Sequence, residues 1–337
     1  MMKNQQMRIL KNRKEVIFMR TISESMEAAA SIGIGGHVRP DGDCVGSCLA
    51  LCYYLKKKYP NKKVDVYLEY VQDEFKFLPN SNSVKHEIDN SELPAYDMFI
   101  VLDCGDLDRL GFSEPLFHKA ASTINIDHHI TNQGFAGLSY IKPEASSTCE
   151  VLMDLIDKDM LDTELASCLY LGIVHDTGVF KHSNTTKKTM ELAAELISYD
   201  VPFSRIIDET FYQKTYLQNQ ILGRCLLESF LVLDGKCIVS YVKKDIMEFY
   251  GASSKDLDGV IDQMRVTEGV EVAILVHEIE TQIYKVSMRS NHDIDVSKVA
   301  KVFGGGGHVK AAGCTISGNV YDVINSVTVH IEEQLRK

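Results

Sequence analysis

Residues 32–43 have the sequence IGIGGHVRPDGD, in which an apolar run passes directly into a polar cluster. The run Ile32–Ile34 is typical of a buried β-strand. The cluster that follows holds one imidazole and two carboxylates: His37, Asp41 and Asp43. The stretch therefore predicts a strand whose end presents metal-binding or catalytic side chains.

The same order of apolar run and polar cluster occurs twice more along the chain. Met98–Leu102 is followed by Asp103, and Thr123–Ile126 is followed by Asp127-His128-His129. Together with Val64–Leu68, these runs alternate with helical segments, which predicts βαβ units and a parallel sheet. Ligands of open parallel sheets bind at the carboxyl ends of the strands. The polar residues should therefore meet at one edge of the sheet.

A fourth polar cluster, His175-Asp176-Thr177-Gly178, ends a helical segment that begins near Thr163. From about 187 to 228 the pattern is helical, with a break at Pro202-Phe203-Ser204. We interpret this stretch as the last helix of a first domain and one connecting helix. The connecting helix would contain Ile206, Phe211, Leu217 and Leu222.

Strand-like runs return beyond Ser229: Leu231–Leu233, Cys237–Val242, Val270–Val276 and Tyr284–Met288. A helix near Tyr321–Arg336 is expected to end the chain. We therefore predict an α/β protein with a parallel-sheet domain over 1–200, a helical linker over 201–228 and a smaller α/β domain over 229–337.

Composition places the chain among ordinary globular proteins. Its 337 residues are 45% hydrophobic and 25% charged, and its formal net charge is −11. Long duplex nucleic acid is disfavoured as a partner, because that binding mode requires a basic face. A small anionic substrate remains compatible, since bound divalent cations invert the local field over an acidic pocket.

The chain carries no signal for secretion or membrane insertion. Its first twenty residues are basic, but no apolar run of signal-peptide length follows them. No stretch reaches the roughly 18 consecutive apolar residues that cross a bilayer. We therefore expect a cytoplasmic protein without membrane partners, whose nine cysteines are buried free thiols. The basic first segment is expected to form an exposed helix.

Aspartate and histidine together are ligands suited to Mn²⁺, and also to Mg²⁺, Fe²⁺ or Co²⁺. Cys44 and Cys104 each follow one of the aspartates. We interpret both as buried neighbours, with zinc ligation as the alternative. Two metals need a shared ligand, and Asp103 is the natural bridge between ions roughly 3.5–4 Å apart that activate a hydroxide for attack on phosphorus.

Four motifs resemble, in sequence and in order, those of the DHH phosphoesterase superfamily: His37-Val38-Arg39-Pro40-Asp41-Gly42-Asp43, Val101-Leu102-Asp103, Asp127-His128-His129 and His175-Asp176-Thr177-Gly178. Downstream, Gly304-Gly305-Gly306-Gly307-His308-x-x-Ala311-Ala312-Gly313 resembles the glycine-rich signature of the DHHA1 domain. The resemblance spans nearly the whole chain. It implies an active site in the cleft between the two domains.

Length and domain plan are similar to the oligoribonuclease and pAp phosphatase branch, of the NrnA type. The resemblance implies a phosphodiesterase or exonuclease that converts very short RNA, or linear dinucleotides such as pApA and pGpG, to mononucleotides. Removal of phosphate from adenosine bisphosphate (pAp) is also implied. A cyclic-di-AMP phosphodiesterase, a non-catalytic nucleotide-binding regulator and a pyrophosphatase are the alternatives. A homodimer is left open.

The resemblance also implies two Mn²⁺ ions, with Mg²⁺ or Co²⁺ as substitutes. One ion would be held by His37, Asp41 and Asp103. The other would be held by Asp43, Asp103, His128 and Asp176. Asp127 would orient an imidazole, or simply cap the turn after its strand.

Two histidines are expected to lie beside the ligands without binding metal. His129 would contact the phosphate or donate a proton to the leaving oxygen. His175 would be a hydrogen-bonded histidine at the end of its helix, outside the site.

Ser146-Ser147-Thr148-x-Glu150 has the pattern of a helix start, in which the hydroxyls and Glu150 satisfy free backbone N–H groups. The functional alternative is that this helix start faces the substrate phosphate.

Candidate substrate contacts in the second domain are Arg289, Gly305, Gly306, Gly307 and His308. Consecutive glycines cost folding entropy, so we expect close backbone approach or positive φ angles there, and a phosphate cradle would supply that need. Arg289 follows a predicted strand, and a guanidinium pairs with phosphate or stacks on bases. Its alternative is a solvated arginine at a strand end.

Overall fold

The computed structural model describes residues 16–89 and 91–336. The chain divides into two compact units, Met1–Gln213 and Lys214–Lys337, and each contains its own sheet. The predicted boundaries at 200 and 228 stay a prediction. Most of the basic N-terminal segment lies outside the described residues, which begin in a helix, α1, over 16–28.

A five-stranded parallel sheet forms the first unit. Its strands are β1 (Ser31–Gly35), β2 (Lys63–Tyr67), β3 (Met98–Leu102), β4 (Ser122–Asp127) and β5 (Leu138–Ile141). Their order across the sheet is β2-β1-β3-β4-β5, and every neighbouring pair is parallel. The predicted parallel sheet is confirmed, and all five carboxyl ends lie at one edge.

Burial on both faces explains why these segments form strands. All five residues of β3 are buried, as expected for a strand of a parallel sheet that is covered on both sides. In the register, Ile32 pairs with Met98 and Ile34 with Ile100. Strand β5 was not predicted, because only Tyr140 of its four residues is buried and its apolar signal is weak.

Helices cover both faces of this sheet. They are α2 (Gly42–Lys58), α3 (Glu114–Lys119), α4 (Thr148–Leu152), α5 (Thr163–Asp176), α6 (Lys187–Ile197) and α7 (Phe203–Ile207). Helix α5 is the segment predicted from Thr163, and the Asp162 side chain caps it by accepting from the Leu165 N–H. One apolar core joins α1, α2, α4 and α5 to the sheet, and a second core packs α3 on the opposite face.

Two glycines let α2 and α5 pack at short range. A Cβ atom on Gly46 would lie 2.6 Å from the Cys168 carbonyl oxygen. A Cβ atom on Gly172 would lie 2.5 Å from Asp43 Oδ1. Without these side chains the two backbones approach each other closely. The same contact brings Asp43 beside the start of α4.

A mixed six-stranded sheet forms the second unit. Its strands are β6 (Phe230–Val232), β7 (Cys237–Val242), β8 (Val272–Glu280), β9 (Ile283–Ser290), β10 (Gly306–His308) and β11 (Ala311–Ser317). Their order is β10-β11-β9-β8-β7-β6, in which only β7 and β8 are parallel neighbours. The predicted second α/β domain is confirmed. Strands β10 and β11 were not predicted, because their glycines and alanines have weak β propensity.

The helices of this unit also cover both faces of its sheet. They are α8 (Tyr216–Leu227), α9 (Lys244–Tyr250), α10 (Val260–Arg265), α11 (Val296–Val302) and α12 (Val320–Leu335). Helices α11 and α12 pack on one side, while α8, α9 and α10 pack on the other. Helix α12 is the predicted final helix.

The expected connecting helix is interrupted. Helix α7 ends at Ile207, a π-helical turn follows over Asp208–Tyr212, and α8 begins only at Tyr216. The new start is a capping box, because Thr215 and Gln218 each accept a hydrogen bond from the other's backbone N–H. The apolar period alone did not reveal this break.

The nine cysteines are all buried and carry free thiols, in agreement with their interpretation as small apolar residues. Among residues 16–89 and 91–336, no helix combines the length and apolar character needed to span a bilayer.

We predict that Gly46→Ala lowers the free energy of unfolding of the first unit by about 1–3 kcal/mol, because the added methyl group meets the backbone of α5. Urea denaturation measures the change. Gly223→Ala in α8 is the control, since no heavy atom lies within 4 Å of its Cβ position. It should stabilise its own unit by about 0.5–1 kcal/mol. Equal effects of the two substitutions would contradict the packing argument.

Candidate metal centre

The loop after β1 aims His37 into the edge of the sheet. Arg39 has a left-handed backbone with φ of 53°, and the Val38 N–H donates to the Arg109 carbonyl at 2.7 Å. His37 Nδ1 lies 2.9 Å from the Val38 carbonyl oxygen. This contact leaves Nε2 free, 3.4 Å from Asp103 Oδ2.

Asp41 and Asp43 occupy different surroundings, although both follow the same loop. Asp41 is more than half exposed, its Oδ1 lies 3.7 Å from His37 Nε2, and it caps α2 by accepting from the Asp43 and Cys44 N–H groups at 3.1 Å. Asp43 is fully buried. The loop therefore directs its two carboxylates to different positions.

The start of α4 holds the Asp43 carboxylate in place. The N–H groups of Thr148 and Cys149 donate to its two oxygens at 2.6 and 3.0 Å. Ser147 caps the helix by accepting from the Glu150 N–H at 3.0 Å. The predicted helix start is therefore confirmed, and two of its amides bind a carboxylate of the chain itself.

Asp103 lies between the two histidines. It directly follows β3, adopts a left-handed backbone with φ of 52° and is buried. Its Oδ2 faces His37, whereas its Oδ1 lies 3.6 Å from His128 Nε2. The Thr148 hydroxyl donates to the same Oδ1 at 3.0 Å. Each oxygen of this carboxylate thus faces a different group of side chains.

His128 directs Nε2 towards three carboxylates. The nearest is Asp176 Oδ2 at 3.1 Å, and Asp43 Oδ2 lies at 4.0 Å. Its other nitrogen, Nδ1, lies 3.3 Å from the Ala145 carbonyl oxygen. A metal-binding histidine requires one free nitrogen and one held by a hydrogen-bond acceptor, and His128 meets both conditions.

Asp127 holds the neighbouring imidazole rather than that of His128. Its buried carboxylate lies 2.7 Å from His129 Nδ1 and accepts from Asn132 Nδ2 at 2.6 Å. This hydrogen bond, above all, raises the pKa of His129 to about 8. His129 therefore carries a proton at neutral pH, and about a third of its side chain is exposed.

Burial and mutual repulsion raise the pKa of two carboxyl groups. The pKa of Asp43 lies well above its usual range because of its burial and the charges of Asp103 and Asp176. Burial and the charges of Asp103 and Asp41 raise the pKa of Asp176 to about 8. Carboxylates crowded in this way are stabilised by nearby positive charge.

Histidine charge offsets part of this repulsion. Burial disfavours the protonated form of His37, but the hydrogen bonds that its ring donates to Asp103 and Asp41 outweigh burial and raise its pKa. Burial opposes ionisation of Asp41, but His37 more than compensates and lowers its pKa to about 2. The positive charge of His37 therefore stabilises the ionised Asp41.

Three groups of potential metal ligands result among the described residues: His37, Cys44 and Asp103; Asp103, His128 and His129; and Asp43, His128 and Asp176. Within each group the ligand atoms lie within 4.8 Å of one another. Buried carboxylates with raised pKa values, next to imidazoles with a free nitrogen, are a donor set that fits divalent cations. The cluster can therefore hold metal.

His175 lies beside the cluster but is engaged elsewhere. Its Nε2 contacts the Thr210 hydroxyl at 2.8 Å, and its ring packs edge-on against Phe75 and Phe211. Burial lowers its pKa to about 4. It belongs to none of the three ligand groups.

Two polar residues at this site were not predicted from the sequence. Thr148 is predicted as part of a helix start or of a phosphate contact, whereas its hydroxyl donates to Asp103. Asn132 donates to Asp127 and, at 2.8 Å, to Asn125 Oδ1 inside β4. An asparagine within a buried strand was the available signal, because such a side chain requires a buried partner.

The glycine-rich stretch of the second unit forms a hairpin of β10 and β11 at the edge of its sheet. A Cβ atom on Gly305 would lie 2.2 Å from the Gly313 carbonyl oxygen, and one on Gly307 would lie 2.5 Å from that of Ala311. Gly306 has no heavy atom within 4 Å of its Cβ position. Close backbone approach within the hairpin therefore explains two of the glycines, as expected.

Arg289 and His308 lie on one face of that sheet. Ala311 of β11 pairs with Arg289 on one side and with His308 on the other, and directly paired residues share a face. His308 is exposed. The Arg289 guanidinium is about one-third exposed, and its Nε lies 3.8 Å from Asp262 Oδ1.

Comparison with known proteins assigns both units. Residues 31–173 match the family model described as DHH family, N-terminal domain, and residues 234–337 match the DHHA1 domain. The chain is 31% identical to the bifunctional oligoribonuclease and PAP phosphatase NrnA of Thermus thermophilus, across 89% of each chain. It is 27% identical to the protein of the same name in Bacillus subtilis, across 83% of this chain and 87% of the relative.

A solved structure shares the fold of this chain over most of its length. The exopolyphosphatase-related protein of Bacteroides fragilis superposes with a TM-score of 0.84 and 22% identity, and the match covers 95% of this chain and 98% of that protein. The motif resemblance, the two family models and the Thermus relative agree with one another. The chain belongs to the DHH family of phosphoesterases and carries a DHHA1 domain as its second unit.

Proposed function

We propose that the chain is a metal-dependent phosphodiesterase and exonuclease that hydrolyses very short RNA and linear dinucleotides, such as pApA and pGpG, to mononucleotides. It also dephosphorylates pAp to AMP. The observation that carries this proposal is the position of Asp103, whose two oxygens face His37 and His128. The names of the Thermus and Bacillus relatives support the substrate class.

The ligand assignment follows the two sides of Asp103. One Mn²⁺ would be held by His37, Asp41 and Asp103, and the other by Asp43, Asp103, His128 and Asp176, with Mg²⁺ or Co²⁺ as substitutes. Carboxylate and imidazole ligands suit this choice of ion. Paired cations, when bound, activate water for in-line attack on phosphorus and stabilise the developing charge.

The chain contributes rigidity to this chemistry. The two α4 amides fix the Asp43 carboxylate, and the Thr148 hydroxyl fixes Asp103. Precise positioning of reacting groups accounts for a large share of catalysis in such sites. Thr148 and the start of α4 therefore act as positioning elements.

His129 donates a proton to the leaving oxygen. Its Nδ1 is bound by Asp127, so its Nε2–H is the group that can face the substrate. Asp127 raises the pKa of this ring, which favours the protonated form that proton donation requires. Asp127 acts by orienting the ring and supporting its charge.

The second unit binds a phosphate or base of the substrate through Arg289, His308 and the backbone of Gly305, Gly306 and Gly307. Arg289 and His308 lie on one face beside the hairpin, and Gly306 leaves its backbone open to a ligand. Guanidinium and imidazole groups suit phosphate and nucleobase contacts.

A nucleotide-binding regulator would not need a complete set of ligands. Here every aspartate and histidine of the four motifs is present, and the six proposed ligands lie at one edge of the sheet. This arrangement supports an enzyme. Cyclic-di-AMP hydrolysis has no specific observation in its favour.

We predict that Asp103→Asn lowers kcat/KM for 5′-phosphorylated di- to pentaribonucleotides by on the order of 10³-fold, because a neutral amide cannot bridge two cations. Release of mononucleotide in the presence of Mn²⁺ measures this, with release of phosphate from pAp in parallel. Asp108→Asn, an exposed change in the same loop, should leave both rates unaltered. Activity of Asp103→Asn within tenfold of the wild type would refute the proposal.

We predict that His129→Gln affects substrates according to their leaving group. For RNA, kcat should fall by about 10²–10⁴-fold, because the departing ribose oxygen needs a proton. For a nucleotide p-nitrophenyl ester, whose leaving group departs unprotonated, the fall should stay below about tenfold. An equal loss with both substrates would rule out proton donation by His129.

A further inference from the structure

The first ligand group contains a thiol as well as an imidazole and a carboxylate. Ligand atoms of His37, Cys44 and Asp103 lie within 4.8 Å of one another. All three residues are buried, and Cys44 Sγ lies 4.0 Å from the His37 carbonyl oxygen. The sulfur therefore lies on the His37 side of the cluster.

Cys104 provides a contrast within the same site. It also directly follows a site aspartate and is fully buried, but its thiol donates to the Asp106 carbonyl oxygen at 3.0 Å. Neither Cys104 nor Cys48, one turn along α2, joins a ligand group among the described residues. Proximity in sequence to an aspartate therefore does not explain the position of Cys44.

The fold makes room for the Cys44 sulfur. Its backbone N–H is bound by Asp41 in the first turn of α2, which fixes where the side chain begins. A Cβ atom on Gly36 would lie 2.3 Å from Cys44 Sγ. Gly36, which directly follows β1, thus leaves the space that the sulfur occupies beneath the His37 loop.

We propose that Cys44 is a sulfur ligand of the cation held by His37 and Asp103, and that this position takes Co²⁺, Zn²⁺ or Fe²⁺ in preference to Mg²⁺. The inference rests on the proposed function, because it concerns one of the two cation positions assigned there. On binding, the thiol proton leaves to solvent and the sulfur lone pair forms the metal–sulfur bond.

The required movement is small. Metal–nitrogen and metal–sulfur bonds of about 2.0–2.3 Å place two ligands of one tetrahedral ion about 3.5 Å apart. Ligand atoms that already lie within 4.8 Å of one another must approach by about an ångström.

The two cation positions would then differ in kind. Thiolate is a soft ligand that selects borderline ions, whereas Mg²⁺ requires oxygen. The group of Asp43, His128 and Asp176 offers only oxygen and nitrogen. One chain can therefore hold two different cations, one at each side of Asp103.

Cobalt absorption spectra test this on the full-length, metal-free protein titrated with Co²⁺. The wild type should show visible d–d bands together with a sulfur-to-cobalt charge-transfer band in the near ultraviolet. Cys44→Ser should lose the charge-transfer band and keep visible bands from the second position. Cys48→Ser and Cys104→Ser are the matched controls and should keep both.

Each outcome decides between the proposals. Visible bands without charge transfer in the wild type, or a charge-transfer band that persists in Cys44→Ser, would overturn sulfur ligation and leave the proposed function standing. Absence of any cobalt binding would overturn both. If Cys44→Ser fails to fold, a charge-transfer band that survives in single serine variants of each of the other eight cysteines supports Cys44 by elimination, and its loss in any of these overturns the proposal.

Discussion

Asp103 occupies the middle of the site because β3 lies between β1 and β4 in the sheet. The loop after β1 carries His37, and β4 leads into His128, so both imidazoles flank the carboxylate that follows β3. A residue with a left-handed backbone ends the strand abruptly and turns its side chain across the sheet edge. Asp41, Asp43 and Asp176 take their places around this carboxylate.

Repulsion among these carboxylates is the cost of the arrangement. Two α4 amides donate hydrogen bonds to Asp43. His37 adds a positive charge. The pKa values of Asp43 and Asp176 nevertheless remain raised. Hydrogen bonds within the chain thus satisfy part of the charge. Divalent cations would satisfy the rest, and the packing of α2 against α5 holds the ligands together in their absence.

Sequence patterns predicted the strands and the polar residues that directly follow them, because both depend on the order of neighbouring residues. Apolar runs located β1, β3 and β4, and the polar residues after them identified the sheet edge, because parallel strands share the direction of their ends. Contacts between distant segments were beyond such patterns. Thr148 reaches Asp103 and Asn132 supports Asp127 only after folding. The β10–β11 hairpin was missed as well, because the glycines that allow its close backbone approach give little apolar signal.

The crowded carboxylates are arranged to hold cations. The most direct test is to measure the free energy of unfolding as a function of pH, with and without Mn²⁺. In the folded chain the raised pKa values of Asp176 and Asp43 keep these carboxyl groups protonated, whereas the unfolded chain releases the same protons above about pH 4. The raised pKa of His37 likewise makes the folded chain bind more protons than the unfolded chain. The metal-free protein should therefore lose stability as pH rises towards about 8. Saturating Mn²⁺ should raise the stability and abolish that loss, because the cations replace the protons. An identical pH dependence with and without Mn²⁺ would contradict the account.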